Sequence, residues 1–114
     1  MKGLSIPILL LVAAVGPVCA ATPPAVVALI TQAQDAQVKG EHELALRLAQ
    51  SAIVADPSQP ASYVALGDIY ARQGQAEYAR SYYELALQID PQDAGALKGM
   101  AAGADTTKAA SNTP

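Results

Sequence analysis

Few side chains in this chain of 114 residues are of a type that could do chemistry. There is one histidine, His42, and one cysteine, Cys19. Glu41 and Glu43 flank His42, but consecutive residues of a helix point to different sides, so the three cannot converge on one ion. His-based metal sites and catalytic triads need converging partners. We therefore interpret His42 as an exposed residue near the start of a helix.

The ten acidic residues are mostly placed where a helical protein needs them. Three glutamates fall in the first turns of predicted helices, where the helix dipole favours a negative charge. Asp56 and Asp90 precede prolines in turns, and Asp93 is positioned to cap the last helix. No glycine-rich phosphate loop is present either. The sequence thus predicts no catalytic residue, no metal site and no cofactor, and we do not expect an enzyme.

The charge pattern argues against nucleic acid as a partner. Seven Lys and Arg residues stand against ten Asp and Glu residues, which gives a formal net charge of −3. The basic residues are scattered singly along the chain, whereas phosphate binding needs them clustered on one surface. We therefore expect no nucleic-acid partner.

The N-terminus has the three parts of a secretory signal. Lys2 supplies a positive charge, residues 8–15 form an unbroken apolar run, and Val18 and Ala20 suit a signal-peptidase site. The run is too short to span a membrane, which takes about 20 residues. We therefore expect residues 1–20 to be a cleavable signal of a bacterial protein that is periplasmic or secreted, with no membrane span in the mature chain. A lipid anchor on Cys19 is the alternative.

The chain repeats itself with a period of 34 residues. The positions that recur are turn and close-contact residues, which geometry constrains most. Shifting the sequence by one period aligns Gly40 with Gly74, Glu43 with Glu77, Ala45 with Ala79, Ala52 with Ala86, and Asp56-Pro57 with Asp90-Pro91.

Each repeat predicts two helices joined by a turn. The first repeat predicts helices over 24–38 and 41–55, with Thr22 as the N-cap, and the second predicts helices over 60–73 and 76–89. Gly40 and Gly74 permit the left-handed turn that ends the first helix of each pair. A proline after the second helix of each pair stops that helix.

A shorter last helix is predicted over 94–103. Gly95, Gly99 and Gly103 weaken it, since an interior glycine costs ~1 kcal/mol relative to alanine. It is expected to act as a lid over the last helix pair, because terminal repeats need capping. Residues 104–114 have no apolar period and are predicted to be disordered.

The second repeat closely resembles a tetratricopeptide repeat. The residues that carry the resemblance are Tyr63, Leu66, Gly67, Tyr70, Ala79, Tyr83, Ala86 and Pro91. Two of them, Tyr63 and Tyr83, replace the family's usual Trp and Phe. The resemblance implies an all-α fold over residues 21–103, with helix-turn-helix units over 26–59 and 60–93 and a capping helix over 94–103. Together these would form a short right-handed α-solenoid.

The family binds peptides or helices of partner proteins on a concave face that the first helix of each repeat lines. Carried onto this chain, the resemblance implies a groove lined by Val27, Ile30, Gln34, Gln37, Val38, Ala61, Val64, Ala65, Asp68 and Arg72. The family's chaperone-binding members grip a C-terminal carboxylate with basic residues and Asn. Ile30, Gln34 and Ala65 stand in comparable places here, so the resemblance favours an apolar or helical segment as ligand.

The combined prediction is an exported interaction module that serves as an adaptor or scaffold in an envelope assembly. A structural subunit that self-associates, with its groove covered by another copy, is the alternative. Tyr78 and Tyr82 are neighbours on one helix, and the sequence leaves open whether they pack internally or form a convex patch for a partner.

The signal sequence gives the first testable prediction. We expect the exported protein to begin at Ala21, because Val18 and Ala20 fit the cleavage site. Intact-mass measurement of the exported protein checks this. A diacylglyceryl mass on Cys19 would establish the lipid-anchored form instead.

Overall fold

The computed structural model describes residues 22–111, with side chains as far as residue 104. The predicted signal peptide, residues 1–20, and residues 112–114 lie outside this part of the chain. All the regular structure within it is helical, which confirms the predicted all-α fold. The helices are α1 (Pro24–Val38), α2 (His42–Ala55), α3 (Pro60–Arg72), α4 (Ala76–Ile89) and α5 (Ala94–Ser111).

Glycine ends the first helix of each pair, as predicted. Gly40 and Gly74 have φ values of 83° and 80°, which glycine adopts without strain. After α1, the Gly40 N–H donates to the Gln37 carbonyl at 3.1 Å, and the Glu41 N–H donates to the Ala36 carbonyl at 2.8 Å. The same two hydrogen bonds recur 34 residues later after α3. These bonds satisfy carbonyls at the helix end and reverse the chain into α2 and α4.

An aspartate before proline ends the second helix of each pair. Asp56 and Asp90 are extended, and each accepts a backbone N–H two residues on, at 3.0 Å. Hydrogen bonds from the Ser58 hydroxyl and backbone and from the Gln59 amide lower the pKa of Asp56 below its ordinary value. The two repeats thus turn through the same motif.

The helix starts agree with prediction at α5 and differ at α1. Asp93 caps α5, because its Oδ1 accepts the Ala96 N–H at 2.9 Å. The prediction that Thr22 caps α1 is wrong. Pro23 stands at the N-cap position with no side-chain cap, and its carbonyl accepts the N–H groups of Val26 and Val27.

The helices form two layers. Helices α1, α3 and α5 pack side by side in one layer, and α2 and α4 pack on them from the other side. The pairs α1–α2 and α3–α4 make the most extensive contacts. Alanine fills the closest crossings, since Ala45, Ala52, Ala79 and Ala86 are all buried. Small side chains let the paired helices approach, as the sequence predicted.

The predicted end of the last helix is wrong. Helix α5 continues to Ser111, so residues 104–111 are helical where a disordered tail was predicted from residue 104. The segment after Gly103 contains alanines and a lysine, which are good helix formers, and no proline or helix-ending glycine before Ser111. Loss of an apolar period removes packing partners, but it does not by itself end a helix.

Tyr83 joins three helices at the centre of the second repeat. It projects from α4 and is 4% exposed, so it belongs to the core. Its ring lies against Gly67 of α3, where an added Cβ would come within 2.7 Å of Cε1. The ring also lies against Gly99 of α5, where an added Cβ would overlap it more closely still. Gly99 therefore has a packing role that the sequence analysis missed, because it lets α5 settle on Tyr83.

Gly99→Ala gives the second prediction. Alanine is the better helix former by ~1 kcal/mol, but its Cβ would overlap the Tyr83 ring. We expect the overlap to dominate, so the free energy of unfolding should fall by ~1–2 kcal/mol in urea. Gly103→Ala is the matched control, since a Cβ there meets nothing within 4 Å. The control should leave stability unchanged or raise it, and equal effects of the two substitutions would contradict the packing role.

Ser62 gives the third prediction. Its side chain is fully buried in α3, and its Oγ has no hydrogen-bond partner among the described residues. A buried hydroxyl without a partner costs free energy. Ser62→Ala should therefore raise the free energy of unfolding by ~1 kcal/mol, measured by urea denaturation. The exposed Ser51, which donates to the Arg47 carbonyl at 2.9 Å, is the control and should change stability by less than ~0.5 kcal/mol. A clear loss of stability in Ser62→Ala would refute the assignment.

Candidate functional site

A cavity of about 300 Å³ opens on the layer formed by α1, α3 and α5. Residues of α1 and α3 form most of its wall, and the start of α5 closes one end. Its lining consists of Ile30, Gln34, Ala61, Val64, Ala65, Asp68, Asp93 and Gly95. The wall is thus largely apolar, with one amide and two carboxylates, which is a composition that binding pockets often have.

The structure brings six of the ten predicted groove residues together in this cavity. They are Ile30, Gln34, Ala61, Val64, Ala65 and Asp68. The other four do not line it. Val27 and Val38 are 48% and 77% exposed near the two ends of α1, and Arg72 is exposed at the end of α3. The cavity thus brings six of the ten predicted residues to one place, and their contact with a partner stays a prediction.

Gln37 is the fourth residue that does not line the cavity. Its Oε1 lies 3.2 Å from Nδ1 of His42 and accepts a hydrogen bond from Nε2 of Gln73 at 3.4 Å. Gln37 therefore links the turn of the first repeat to the end of α3. His42 is exposed, as predicted. Over residues 22–104, no group of three or more acidic, His or Cys side chains could hold a metal ion.

Asp93 and Gly95 line the cavity, and the sequence analysis missed both as groove residues. Gly95 stands one period after Ala61, so the repeat could have placed it on the groove side. Because Gly95 has no side chain, Val64 lies close to it, with Cγ1 3.0 Å from the place of an added Cβ. Val64 is consequently half-buried between α3 and α5, and it contributes to the fold as well as to the cavity wall.

Asp68 connects the cavity to the core. Its Oδ1 accepts a hydrogen bond of 2.6 Å from the hydroxyl of Tyr83, the buried ring between the two glycines. Burial raises the pKa of Tyr83 well above its ordinary value, and the hydrogen bond to Asp68 adds to that rise. The side chain of Asp68 is therefore held in one orientation by a residue that cannot move without disturbing three helices.

Of the two tyrosines predicted for a convex patch, Tyr82 packs within the protein and Tyr78 is largely exposed. Tyr82 stacks on Tyr70, with ring centroids 5.5 Å apart and planes 6° apart, and it also packs against the core of the first repeat. Tyr78 lies 5.3 Å from Tyr70 and remains 59% exposed. Neither Tyr78 nor Tyr82 lines the cavity. Internal packing thus accounts for Tyr82, and the exposed face of Tyr78 keeps the convex patch open as a prediction.

Comparison with known families agrees with the fold. The tetratricopeptide repeat family model matches residues 30–94, from the middle of α1 to the first residue of α5. The chain belongs to the tetratricopeptide repeat family. Domains of this family are protein-interaction scaffolds and are generally not enzymes.

Two similar proteins give further context. The Sgt2 tetratricopeptide domain from Aspergillus fumigatus superposes with a TM-score of 0.66 at 26% identity, covering 77% of this chain and 58% of that one. "Cellulose synthase operon protein C" of Xanthomonas axonopodis pv. citri (strain 306) is 38% identical over 71 residues, which are 62% of this chain and 5% of that protein. The chain thus corresponds to a small part of this bacterial relative. Within residues 22–111, none of the helices combines the length and apolar character that crossing a bilayer requires.

The Tyr83–Asp68 hydrogen bond gives the fourth prediction. Tyr83→Phe keeps the ring and removes the donor to Asp68, so the free energy of unfolding at neutral pH should fall by ~1–2 kcal/mol. Tyr63→Phe is the control, because its hydroxyl donates to the Pro57 carbonyl in an exposed setting. That control should lose less than ~0.5 kcal/mol.

The raised pKa of Tyr83 gives this prediction a pH dependence. Below pH 10.0, the ordinary pKa of tyrosine, Tyr83 holds its proton in both the folded and the unfolded state. The contribution of its hydroxyl to the free energy of unfolding is then complete. Above that pH the unfolded state loses the proton first, so the free energy of unfolding should fall as the pH rises. Urea denaturation across this range should show a steeper fall for the wild type than for Tyr83→Phe. Parallel curves would contradict the assignment.

Proposed function

We propose that the chain is an exported interaction module that binds a peptide or helix of a partner protein in the cavity on α1, α3 and α5, as an adaptor or scaffold in an envelope assembly. One observation carries the proposal. Six of the eight residues that line the cavity stand at positions that the family resemblance assigns to the groove, and the lining is mostly apolar, with Asp68 held by a hydrogen bond from Tyr83. A segment that places apolar side chains against Ile30 and Ala61 would bury that wall from water.

Export is the part of this proposal that rests on the sequence. Residues 1–20 have the composition of a secretory signal. A bacterial relative from a cellulose synthase operon is consistent with a protein that works at the cell envelope. We propose a periplasmic or secreted protein, with a lipid anchor on Cys19 as the alternative.

Self-association is the second candidate function, and an observation on α5 favours it. Leu97 on α5 is 47% exposed, although it is a large apolar side chain. A second copy that covers this face of α5 would bury Leu97 and reach over the groove.

Site-specific photo-crosslinking in living cells tests the two candidates. The crosslinking amino acid p-benzoylphenylalanine replaces Gln34, which is exposed and lines the cavity. Matched positions are Val54, which is 82% exposed on α2 and outside the cavity, and Tyr78 on the convex side. Mass spectrometry then identifies the crosslinked product from each position.

The groove proposal predicts a defined adduct to another protein from Gln34 and none from Val54. An adduct of twice the chain mass from Gln34 would establish the self-associating alternative. An adduct from Tyr78 with none from Gln34 would place the partner on the convex side and refute the groove assignment.

A further inference from the structure

The lining of the cavity includes two acidic residues, Asp68 and Asp93, beside its apolar wall. Their charge indicates which chemical groups a ligand needs. This inference rests on the proposed function, since it concerns the partner of the same groove. We propose that the groove selects a protein segment in which a lysine or arginine stands next to an apolar side chain.

The carboxylates of Asp68 and Asp93 are each held by one hydrogen bond and keep further acceptor positions. Oδ1 of Asp68 accepts from the Tyr83 hydroxyl at 2.6 Å, and Oδ1 of Asp93 accepts the Ala96 N–H at 2.9 Å. A carboxylate can accept about four hydrogen bonds. Each side chain therefore retains acceptor positions after one oxygen has been tied to α4 or α5. Fixing the acceptors beforehand lowers the entropy cost of binding a donor there.

Within residues 22–104, no cation pairs directly with these carboxylates, although Arg72 stands one helical turn after Asp68. The lining contains no lysine or arginine. Arg72 and Lys98, the basic residues that α3 and α5 carry among residues 22–104, are both exposed, and neither lies within ion-pair distance of Asp68 or Asp93. Among these same residues the ion pair that forms is Arg80–Glu84 on α4, at 3.3 Å. The cavity thus presents negative charge beside an apolar wall.

The remaining wall determines the rest of the ligand. Ile30, Ala61 and Ala65 offer apolar surface to an aliphatic neighbour of the basic residue, and Gln34 offers an amide to its backbone. A guanidinium or ammonium group supplies only hydrogen-bond donors, and the two carboxylates supply only acceptors, so the groups are complementary. A segment ending in a carboxylate, or rich in glutamate, would meet like charge and be rejected.

Peptide selection followed by a charge-reversal series tests this inference. A display library of random linear peptides is selected against the full chain, and enriched sequences are made as fluorescent peptides for anisotropy measurements. We expect the enriched peptides to share a Lys or Arg beside an apolar residue. Replacing that basic residue with Gln should weaken binding by about tenfold.

Protein variants locate the effect. Asp68→Asn keeps an acceptor for Tyr83 and removes the charge, so it should weaken binding of the selected peptide by about tenfold. The affinity of Asp68→Asn for the peptide whose basic residue is replaced with Gln should be little lower still, because the two changes remove the same interaction. Glu84→Gln removes one negative charge from exposed α4, so it is the matched control and should change the affinity less than twofold. Ile30→Asn tests whether a peptide uses the groove at all.

Each outcome separates the two claims. Peptides that are neutral or acidic, bind normally to Asp68→Asn and are lost with Ile30→Asn would leave the groove function standing and overturn the charge inference. If Asp68→Asn and Glu84→Gln weaken the binding of basic peptides equally, the peptides respond to the overall charge of the protein. That result also overturns the charge inference. Selection that yields no peptide sensitive to Ile30→Asn would count against the proposed function itself.

Discussion

The structure depends above all on the packing of one aromatic ring between two glycines. Tyr83 of α4 fits against Gly67 of α3 and Gly99 of α5, and a side chain at either glycine would displace it. The contact sets the distance between the second repeat and the helix that covers it. Because the Tyr83 hydroxyl then reaches Asp68, the same ring that closes the core also fixes a carboxylate in the cavity. The packing of the core and the position of the cavity carboxylate therefore depend on the same side chain.

The thin core explains why small residues carry so much of this fold. Apart from Tyr83, the largest apolar side chains of the core are Leu66, Ile69 and Val26, and the remaining buried apolar positions are alanine. A short chain of this kind buries little apolar area, so close approach of helix backbones has to replace bulky side chains. The same close approach, through Gly95 against Val64, brings α5 near enough to α3 to close one end of the cavity.

The sequence predicts the parts of this structure that local geometry determines. Gly40, Gly74 and the two Asp-Pro pairs mark the helix ends, and the 34-residue period orders the helices. Six of the ten residues predicted from that register for the groove line the cavity. The hydrogen bond between Tyr83 and Asp68 joins two helices and depends on how deeply a ring is buried, which no pattern of residues encodes. The helical run to Ser111 was missed because helix propensity persists where packing patterns stop.

A double-mutant cycle of Tyr83→Phe and Asp68→Ala tests the central claim, that the buried ring positions the cavity carboxylate. Urea denaturation at neutral pH gives the free energy of unfolding of the wild type, the two single variants and the double variant. The account predicts a coupling free energy of ~1–3 kcal/mol, because both substitutions remove the same charge-assisted hydrogen bond. Additive losses, with a coupling near zero, would mean that Tyr83 and Asp68 act independently and would contradict it.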